Sequence, residues 1–163
     1  MDYKLLFSNL LLGPIVIFTY FKYLGGAMNK GVTSDQLWGN IKGNNRNIYY
    51  GSMVLATISY LYMSYYLIFK KKEKDILPLI GTIIFFIGAI SWAPLVYSNF
   101  IKKVSKIFTY LSLSVTSLGI IILFSHLLKK GNNISKVAVS VFLFHILVLD
   151  NIIWSINYDK INV

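Results

Sequence analysis

Five long apolar stretches constrain this 163-residue chain more than any other feature. Crossing the hydrocarbon core of a bilayer takes about 20 mostly apolar residues in helical form. Because every backbone N–H and C=O in lipid needs a partner within the chain, each stretch is predicted to be a helix. The sequence therefore predicts an all-α, polytopic integral membrane protein, with one five-helix domain over residues 1–163. The predicted spans, numbered 1 to 5, are 5–24, 48–69, 76–100, 107–128 and 136–156.

Composition supports the membrane interpretation and excludes several classes of protein. Charged residues make up only 13% of the chain, whereas a soluble domain averages about 25%. This fraction of charged residues is too small to cover the surface of a soluble globular protein. A water-soluble enzyme is therefore excluded. The chain has no cysteine, which excludes disulfides, thiolate metal sites and cysteine nucleophiles.

The net charge of +10 comes from lysines that lie mainly between the spans. Such cationic runs are typical of short loops that reach lipid headgroups, so the bilayer is the expected partner and nucleic acid is not. We call the surface that holds the N-terminus face X and the opposite surface face Y. Each face carries eight Lys or Arg, so the positive-inside rule gives no orientation. The loop runs are Lys70-Lys71-Lys72-Glu73-Lys74, Lys102-Lys103 with Lys106, and Lys129-Lys130 with Lys136.

The connection between spans 1 and 2, about residues 25–47, is the only long loop and lies on face Y. Within it, Thr33-Ser34-Asp35-Gln36 predicts a helix N-cap with a capping-box glutamine. Leu37, Trp38 and Ile41 would then share one face of a short helix at the membrane surface. Long loops in compact proteins are usually functional lids or disordered, and the cap and the tryptophan favour a lid.

Polar and aromatic side chains gather below face Y, under this loop. Asp150 is the only acid within a span, and polar groups inside lipid are costly enough to indicate a function. Pro94 lacks an N–H and is predicted to kink span 3. The candidate ligand-binding residues are Trp92, Pro94 and Tyr97 on span 3, Asp150 and Trp154 on span 5, Tyr50 on span 2 and Trp38 in the loop. They predict a small-molecule pocket at the mouth of the bundle. The alternative is an interfacial aromatic belt with no ligand.

Two further side chains bear on Asp150. Arg46, the only arginine, starts span 2 on the same face, so an ion pair between Arg46 and Asp150 is predicted. His145 lies roughly 140° from Asp150 around an α-helix that turns about 100° per residue, so these two are not expected on one face. His145 is predicted to be a hydrogen-bonded core residue. It has no second ligand at i+4, and no metal site is predicted.

Small residues in spans 3 and 4 predict close contact between membrane helices, within one chain or across a homodimer. They include Gly81 and Gly88 in span 3 and Ser112, Thr116 and Gly119 in span 4. Catalytic and nucleotide-binding signatures such as GxSxG, HExxH and GxGxxG are absent from the sequence, so no enzyme is predicted.

Two motifs at the face-Y ends of spans 3 and 5 carry a family resemblance. Trp92-Ala93-Pro94-Leu95-Val96-Tyr97 resembles the W-x-P-[LI]-F-F signature of the tryptophan-rich sensory protein, or translocator protein, family. The segment from Leu149 to Asn157 is similar to that family's L-N-x-x-I-W-x-L-N. The resemblance covers most of residues 48–157. Asp150 stands where the family has asparagine, and the family's K-P-x-W-x-P-P loop motif is absent.

This resemblance implies a five-helix bundle, often dimeric, whose pocket under the long loop binds porphyrins, sterols or related hydrophobic ligands. It assigns Trp92 and Pro94 to the pocket wall and the kink of span 3, and Asp150 and Trp154 to the wall on span 5. The expected protein is a multi-pass, sensor-like or translocator-like homodimer without catalysis, with a tetrapyrrole, sterol or lipid as its ligand. The alternatives are a proton or ion channel that uses Asp150, and an accessory subunit of a larger membrane complex.

Overall fold

The computed structural model describes residues 1–70 and 75–161, and these form helices and loops without any strand. Five helices are long and apolar enough to cross a membrane, which confirms the predicted fold class. Spans 1 to 5 are Tyr3–Met28, Gly43–Lys70, Leu77–Lys102, Ile107–Lys130 and Asn133–Asp159. Most of the predicted lysine cluster after span 2, at 71–74, lies outside the described residues.

Spans 1 and 2 both extend further at face Y than predicted. Span 1 continues through Gly25 and Gly26 to Met28, and span 2 begins at Gly43 instead of residue 48. The predicted end of span 1 was wrong because intrahelical hydrogen bonds continue through Gly25 and Gly26, as the Asn29 N–H bonded to the Gly25 carbonyl at 3.0 Å illustrates. The predicted start of span 2 was wrong because the residues from Gly43 onward, predicted to form a turn, are already helical. The long loop therefore shrinks to residues 29–42, which we call loop 1.

The spans pack around the bundle in the order 1, 3, 4, 5, 2, with spans 3 and 4 in the most extensive contact. Spans 1 and 2 approach most closely at face X. There the Asp2 N–H donates to the Ile68 carbonyl at 2.8 Å, and the Tyr60 and Ser64 hydroxyls donate to the Asn9 side chain. Toward face Y the two helices separate, and no hydrogen bond joins them among the described residues.

Two apolar clusters fill the interior at different depths. The first occupies the half of the bundle near face X and joins spans 1, 2, 4 and 5. The second lies at face Y under loop 1, which contributes Leu37 and Ile41 to it. The first cluster includes Leu5, Met63, Ile120, Leu127 and Val139, and the second includes Tyr49, Val96, Leu149, Trp154 and Tyr158.

Glycines set the distance between spans 3 and 4. A Cβ atom on Gly88 would lie 2.3 Å from the Thr116 Oγ1, and one on Gly119 would lie 2.3 Å from the Phe85 backbone nitrogen. No side chain fits at such distances, so the backbones meet directly, as small residues allow in membranes. The predicted small-residue contact is thus made within one chain.

A buried asparagine joins spans 3, 4 and 5 at face Y. The Asn99 side chain donates to the Val104 and Ser105 carbonyls at 2.9 and 3.2 Å. It accepts hydrogen bonds from the Thr109 hydroxyl at 2.6 Å and the Tyr158 hydroxyl at 3.1 Å. A buried amide with all of these bonds is costly to disrupt, because its partners would lose theirs as well.

Lys106 closes the exposed end of span 5. Its Nζ donates to the Tyr158 carbonyl at 3.1 Å and the Asp159 carbonyl at 2.9 Å, and also to the Ile161 carbonyl. Carbonyls at the end of a helix lack the full set of intrahelical partners, and a cation at this end also complements the helix dipole. Span 5 is therefore held to the loop between spans 3 and 4.

The glycine contact generates a stability prediction. Gly119→Ala should lower the melting temperature in detergent, because overpacking costs about 1–3 kcal/mol and outweighs the gain of about 0.5–1 kcal/mol in helix propensity. The matched control is Gly51→Ala, because nothing lies within 4 Å of a Cβ at Gly51, and this change should be neutral or stabilising. Thermal unfolding followed by circular dichroism measures both. Equal melting temperatures for the two variants would contradict the direct contact of spans 3 and 4.

Candidate functional site

A cavity of about 80 Å³ lies among spans 1, 3, 4 and 5, below loop 1. Its wall is mostly apolar and contains one acid and one indole. The volume has room for two or three waters at about 30 Å³ each, and drug-sized ligands usually occupy about 300–1,000 Å³. The lining residues are Val16 and Tyr20 of span 1, Phe85, Ala89 and Trp92 of span 3, Leu113 and Thr116 of span 4, and Ile146 and Asp150 of span 5.

Two π-helical segments border this cavity. Tyr20–Leu24 in span 1 begins with the lining tyrosine, and Phe144–Trp154 in span 5 contains the lining aspartate. Hydrogen bonds from i to i+5 widen each turn, and such segments occur frequently at functional sites. The wider turn also brings His145 Nε2 to 3.6 Å from Asp150 Oδ2. The prediction that these two lie on different faces was wrong, because it assumed α-helical geometry.

The Asp150 carboxyl is accessible from the cavity and accepts no hydrogen bond from the described residues. Its side chain keeps 31% of its surface uncovered, and its 3.6 Å contact with His145 is longer than a hydrogen bond. The other ring nitrogen of His145 lies 2.9 Å from the Ser52 hydroxyl, as predicted for a hydrogen-bonded core histidine. Asp150 is therefore able to bond to a molecule in the cavity.

Trp92 lies between two other rings. Its ring centroid is 5.3 Å from that of Tyr20 and 5.3 Å from that of Trp154. The Trp92 Nε1 is buried and has no hydrogen-bond partner among residues 1–70 and 75–161. Buried polar groups without a partner are rare, and each costs about 1–3 kcal/mol. Two residues of one cavity, Trp92 and Asp150, thus carry a donor and an acid that the protein itself does not hydrogen-bond.

The predicted ion pair between Arg46 and Asp150 was wrong. Arg46 instead lies 2.9 Å from Asp35 through its Nη2, and its Nε donates to the Ile41 carbonyl at 2.9 Å. The reason is that span 2 starts at Gly43, which places Arg46 in the first turn beside loop 1. Hydrogen bonds from Arg46 and then from Lys42 hold the pKa of the Asp35 carboxyl below its usual value.

Loop 1 contains the predicted capped helix, Ser34–Leu37, which we call the loop helix. The Thr33 hydroxyl accepts from the Gln36 N–H at 3.3 Å, and the Gln36 side chain accepts from the Thr33 N–H at 2.8 Å. This reciprocal pair is the predicted capping box. The loop helix ends before Gly39, whose φ of 65° is left-handed and favours glycine.

Loop 1 is fastened to span 5 through a tryptophan. The Trp154 Nε1 donates to the Leu37 carbonyl at 3.1 Å, and the Trp154 ring stacks on Tyr158 with centroids 4.3 Å apart. Leu37 and Ile41 are buried below the loop. Loop 1 therefore covers the face-Y end of the bundle, in the position that a lid would take.

The structure brings together two of the seven predicted ligand-binding residues, Trp92 and Asp150, at the cavity. Trp154 packs on Trp92 and holds loop 1. Tyr97 contacts Tyr23 with ring centroids 5.8 Å apart, outside the cavity lining. Three other predicted residues also lie outside the lining: Pro94, within the continuous helix of span 3, and Trp38 and Tyr50, whose rings meet 5.1 Å apart.

The cavity wall also contains three residues that were not among the predicted ligand-binding residues: Tyr20, Phe85 and Thr116. Tyr20 lies four residues after Val16, and residues at this spacing share one face of a helix. The sequence therefore already indicated that these two side chains lie together. The π-helical turn that starts at Tyr20 has no comparable sequence signal. No group of three metal-ligating side chains occurs in the part of the chain that the structure describes.

The ion pair between Asp35 and Arg46 should protect loop 1 from proteolysis. Asp35→Asn should speed tryptic cleavage within residues 29–42 severalfold, because it removes the pair with Arg46. The control Asp159→Asn changes an acid on the same face that accepts from Tyr110 at 3.0 Å and should leave the rate unchanged. Equal cleavage of both variants would show that the pair does not hold loop 1.

The pH dependence of loop 1 follows from the lowered pKa of Asp35. A lowered folded pKa stabilises the closed loop at pH values above the ordinary Asp pKa, and that contribution is lost as the pH falls through the lowered pKa. Hydrogen exchange of residues 29–42, corrected for intrinsic rates, should therefore stay constant from about pH 8 to pH 5 and rise only below about pH 4. A rise centred near neutral pH would contradict this assignment.

No family model, curated protein or solved structure matches this chain. The resemblance to the translocator protein family thus rests on the two motifs of spans 3 and 5 and stays a prediction.

Proposed function

We propose that this multi-pass membrane protein binds a hydrophobic small molecule in the cavity beside Trp92 and Asp150. The observation that carries the proposal is the buried Trp92 N–H, which has no hydrogen-bond partner among the described residues. A ligand acceptor at this N–H would remove an unfavourable term of about 1–3 kcal/mol. The apolar wall supplies contact area, and the Asp150 carboxyl supplies a second polar contact, which is the usual composition of a ligand pocket.

The surroundings of the cavity favour a ligand that enters from the bilayer. Loop 1 covers the bundle toward the water at face Y, with Leu37 and Ile41 buried beneath it. The face-Y halves of spans 1 and 2 separate, and the side chains along them are apolar and exposed, as Phe21 and Val54 are at 79% and 59%. A molecule dissolved in the hydrocarbon could pass between these helices without crossing water.

The size of the cavity limits the ligand in this conformation. A tetrapyrrole or a sterol is much larger than 80 Å³, so spans 1 and 2 would have to move apart to admit the ligands that the family resemblance implies. A small aromatic molecule, or the head of a longer one, needs less movement. The homodimer that the same resemblance implies stays part of this proposal.

A proton path is the second candidate, supported by the chain of contacts from Ser52 through His145 to Asp150. The apolar cluster near face X argues against it, because Leu123, Leu127 and Val139 are buried there. Three polar side chains of that half, Asn9, Tyr60 and Ser64, bond to one another, and no hydrogen bond among the described residues joins them to His145 or Asp150. Proton flux into liposomes that is abolished by Asp150→Asn would favour the path over the binding site.

Replacing cavity residues tests the binding proposal, with benzyl alcohol as the probe in nanodiscs. Ala89→Phe should abolish saturable binding, because the added ring occupies the cavity. Trp92→Phe should weaken binding about 2- to 12-fold, the effect of one hydrogen bond of about 0.5–1.5 kcal/mol. The control Trp38→Phe, outside the cavity, should bind like the wild type. Calorimetric titration gives the affinities, and equal binding by all three folded variants would remove the cavity from the function.

A further inference from the structure

The cavity acid differs from the other described acids in what it contacts. Asp35 pairs with Arg46, Asp75 lies 3.5 Å from Lys130, Asp2 caps span 1, and Asp159 accepts from Tyr110. Asp150 has no lysine or arginine within salt-bridge distance among the described residues. An ionisable group at membrane depth is normally paired. Among the described carboxyls that have no lysine or arginine partner, Asp2 and Asp159 accept hydrogen bonds at the ends of the bundle, whereas Asp150 lies within a span and accepts none.

His145 does not fill this role in the observed geometry. Its Nε2 stands 3.6 Å from the Asp150 Oδ2, whereas a charge-assisted N–H to carboxylate bond measures about 2.7–2.9 Å. The Nδ1 of the same ring is engaged by Ser52 at 2.9 Å. The titratable groups that face Asp150 from the neighbouring spans are the hydroxyls of Tyr20 and Tyr49, and neither of them is a cation.

We infer that the ligand is a hydrophobic amine whose nitrogen pairs with the Asp150 carboxyl, an inference that rests on the proposed binding function. The aromatic side chains of Tyr20 and Trp92 line the same cavity, and aromatic rings attract an ammonium group. The remaining lining of Val16, Phe85 and Ile146 suits an apolar body. The volume of about 80 Å³ fits a head group, and the body extends between spans 1 and 2.

Such a ligand reaches the cavity without carrying a net charge through the hydrocarbon. A neutral amine arrives through the lipid, and the proton of the carboxyl moves to the nitrogen as the O–H bond breaks and the N–H bond forms. An ammonium ion that binds the carboxylate gives the same pair. In both cases ligand and acid together are neutral, so the cost of burying a lone charge is avoided.

Matched benzyl probes test the inference, since benzylamine, benzyl alcohol and benzoate share one body and differ in head group. Each is titrated by calorimetry into the chain in phosphatidylcholine nanodiscs, with empty nanodiscs as the blank. The wild type should bind benzylamine about tenfold or more tighter than benzyl alcohol, as expected when a charge-assisted bond replaces a neutral one. Benzoate should bind weakest, because it brings a second negative charge next to Asp150.

Substitution at the acid completes the test. Asp150→Asn should abolish the amine preference, so that benzylamine and benzyl alcohol bind this variant with equal affinity, and saturable binding of both probes shows that the cavity is intact. The control Asp159→Asn should keep the amine preference. Equal affinities of amine and alcohol in the wild type, or a preference that survives Asp150→Asn, would overturn the amine inference and leave the proposed function standing. Binding of none of the three probes would overturn both.

Discussion

The hydrocarbon of the membrane offers no hydrogen bonds, so the polar groups of the bundle must find their partners within the protein. Backbone groups are satisfied within the five helices, and Lys106 covers the carbonyls at the end of span 5. Most buried side chains obey the same rule, as the four bonds of Asn99 and the bond from the Tyr49 hydroxyl to the Leu149 carbonyl illustrate. Among the described residues, the Trp92 Nε1 and the Ser155 Oγ are buried without a hydrogen-bond partner, and Trp92 lines the same cavity as Asp150, whose carboxyl accepts no hydrogen bond. Their coincidence is why the functional proposal centres there.

Spans 3, 4 and 5 are packed more tightly together than spans 1 and 2 are against each other. Spans 3 and 4 meet through Gly88 and Gly119, and Asn99 ties both to span 5. Spans 1 and 2 meet mainly at face X and separate toward face Y. Spans 3, 4 and 5 supply most of the cavity wall, and the separation of spans 1 and 2 supplies the route from the bilayer. A site with this construction can hold its polar contacts in fixed positions while its entrance moves.

The sequence was sufficient for the helices and for part of the site, because apolar length and capping chemistry are local signals. Five spans and the capping box of Thr33 and Gln36 follow from such signals. The pairing of Arg46 with Asp35, and not with Asp150, depended on where span 2 begins, and sequence does not fix helix ends closely. The approach of His145 to Asp150 depended on a π-helical segment that has no sequence signature. Trp92 and Asp150 were selected from the sequence, whereas the missing partner of the indole became visible only in three dimensions.

An experimental density map of the chain in lipid nanodiscs would show directly whether the cavity holds a ligand. We expect density for a small molecule in the cavity bounded by Tyr20, Trp92 and Asp150, within hydrogen-bond distance of the Trp92 Nε1 and continuing between spans 1 and 2. A map in which that nitrogen donates to a protein carbonyl, and side chains close the cavity, would contradict the account.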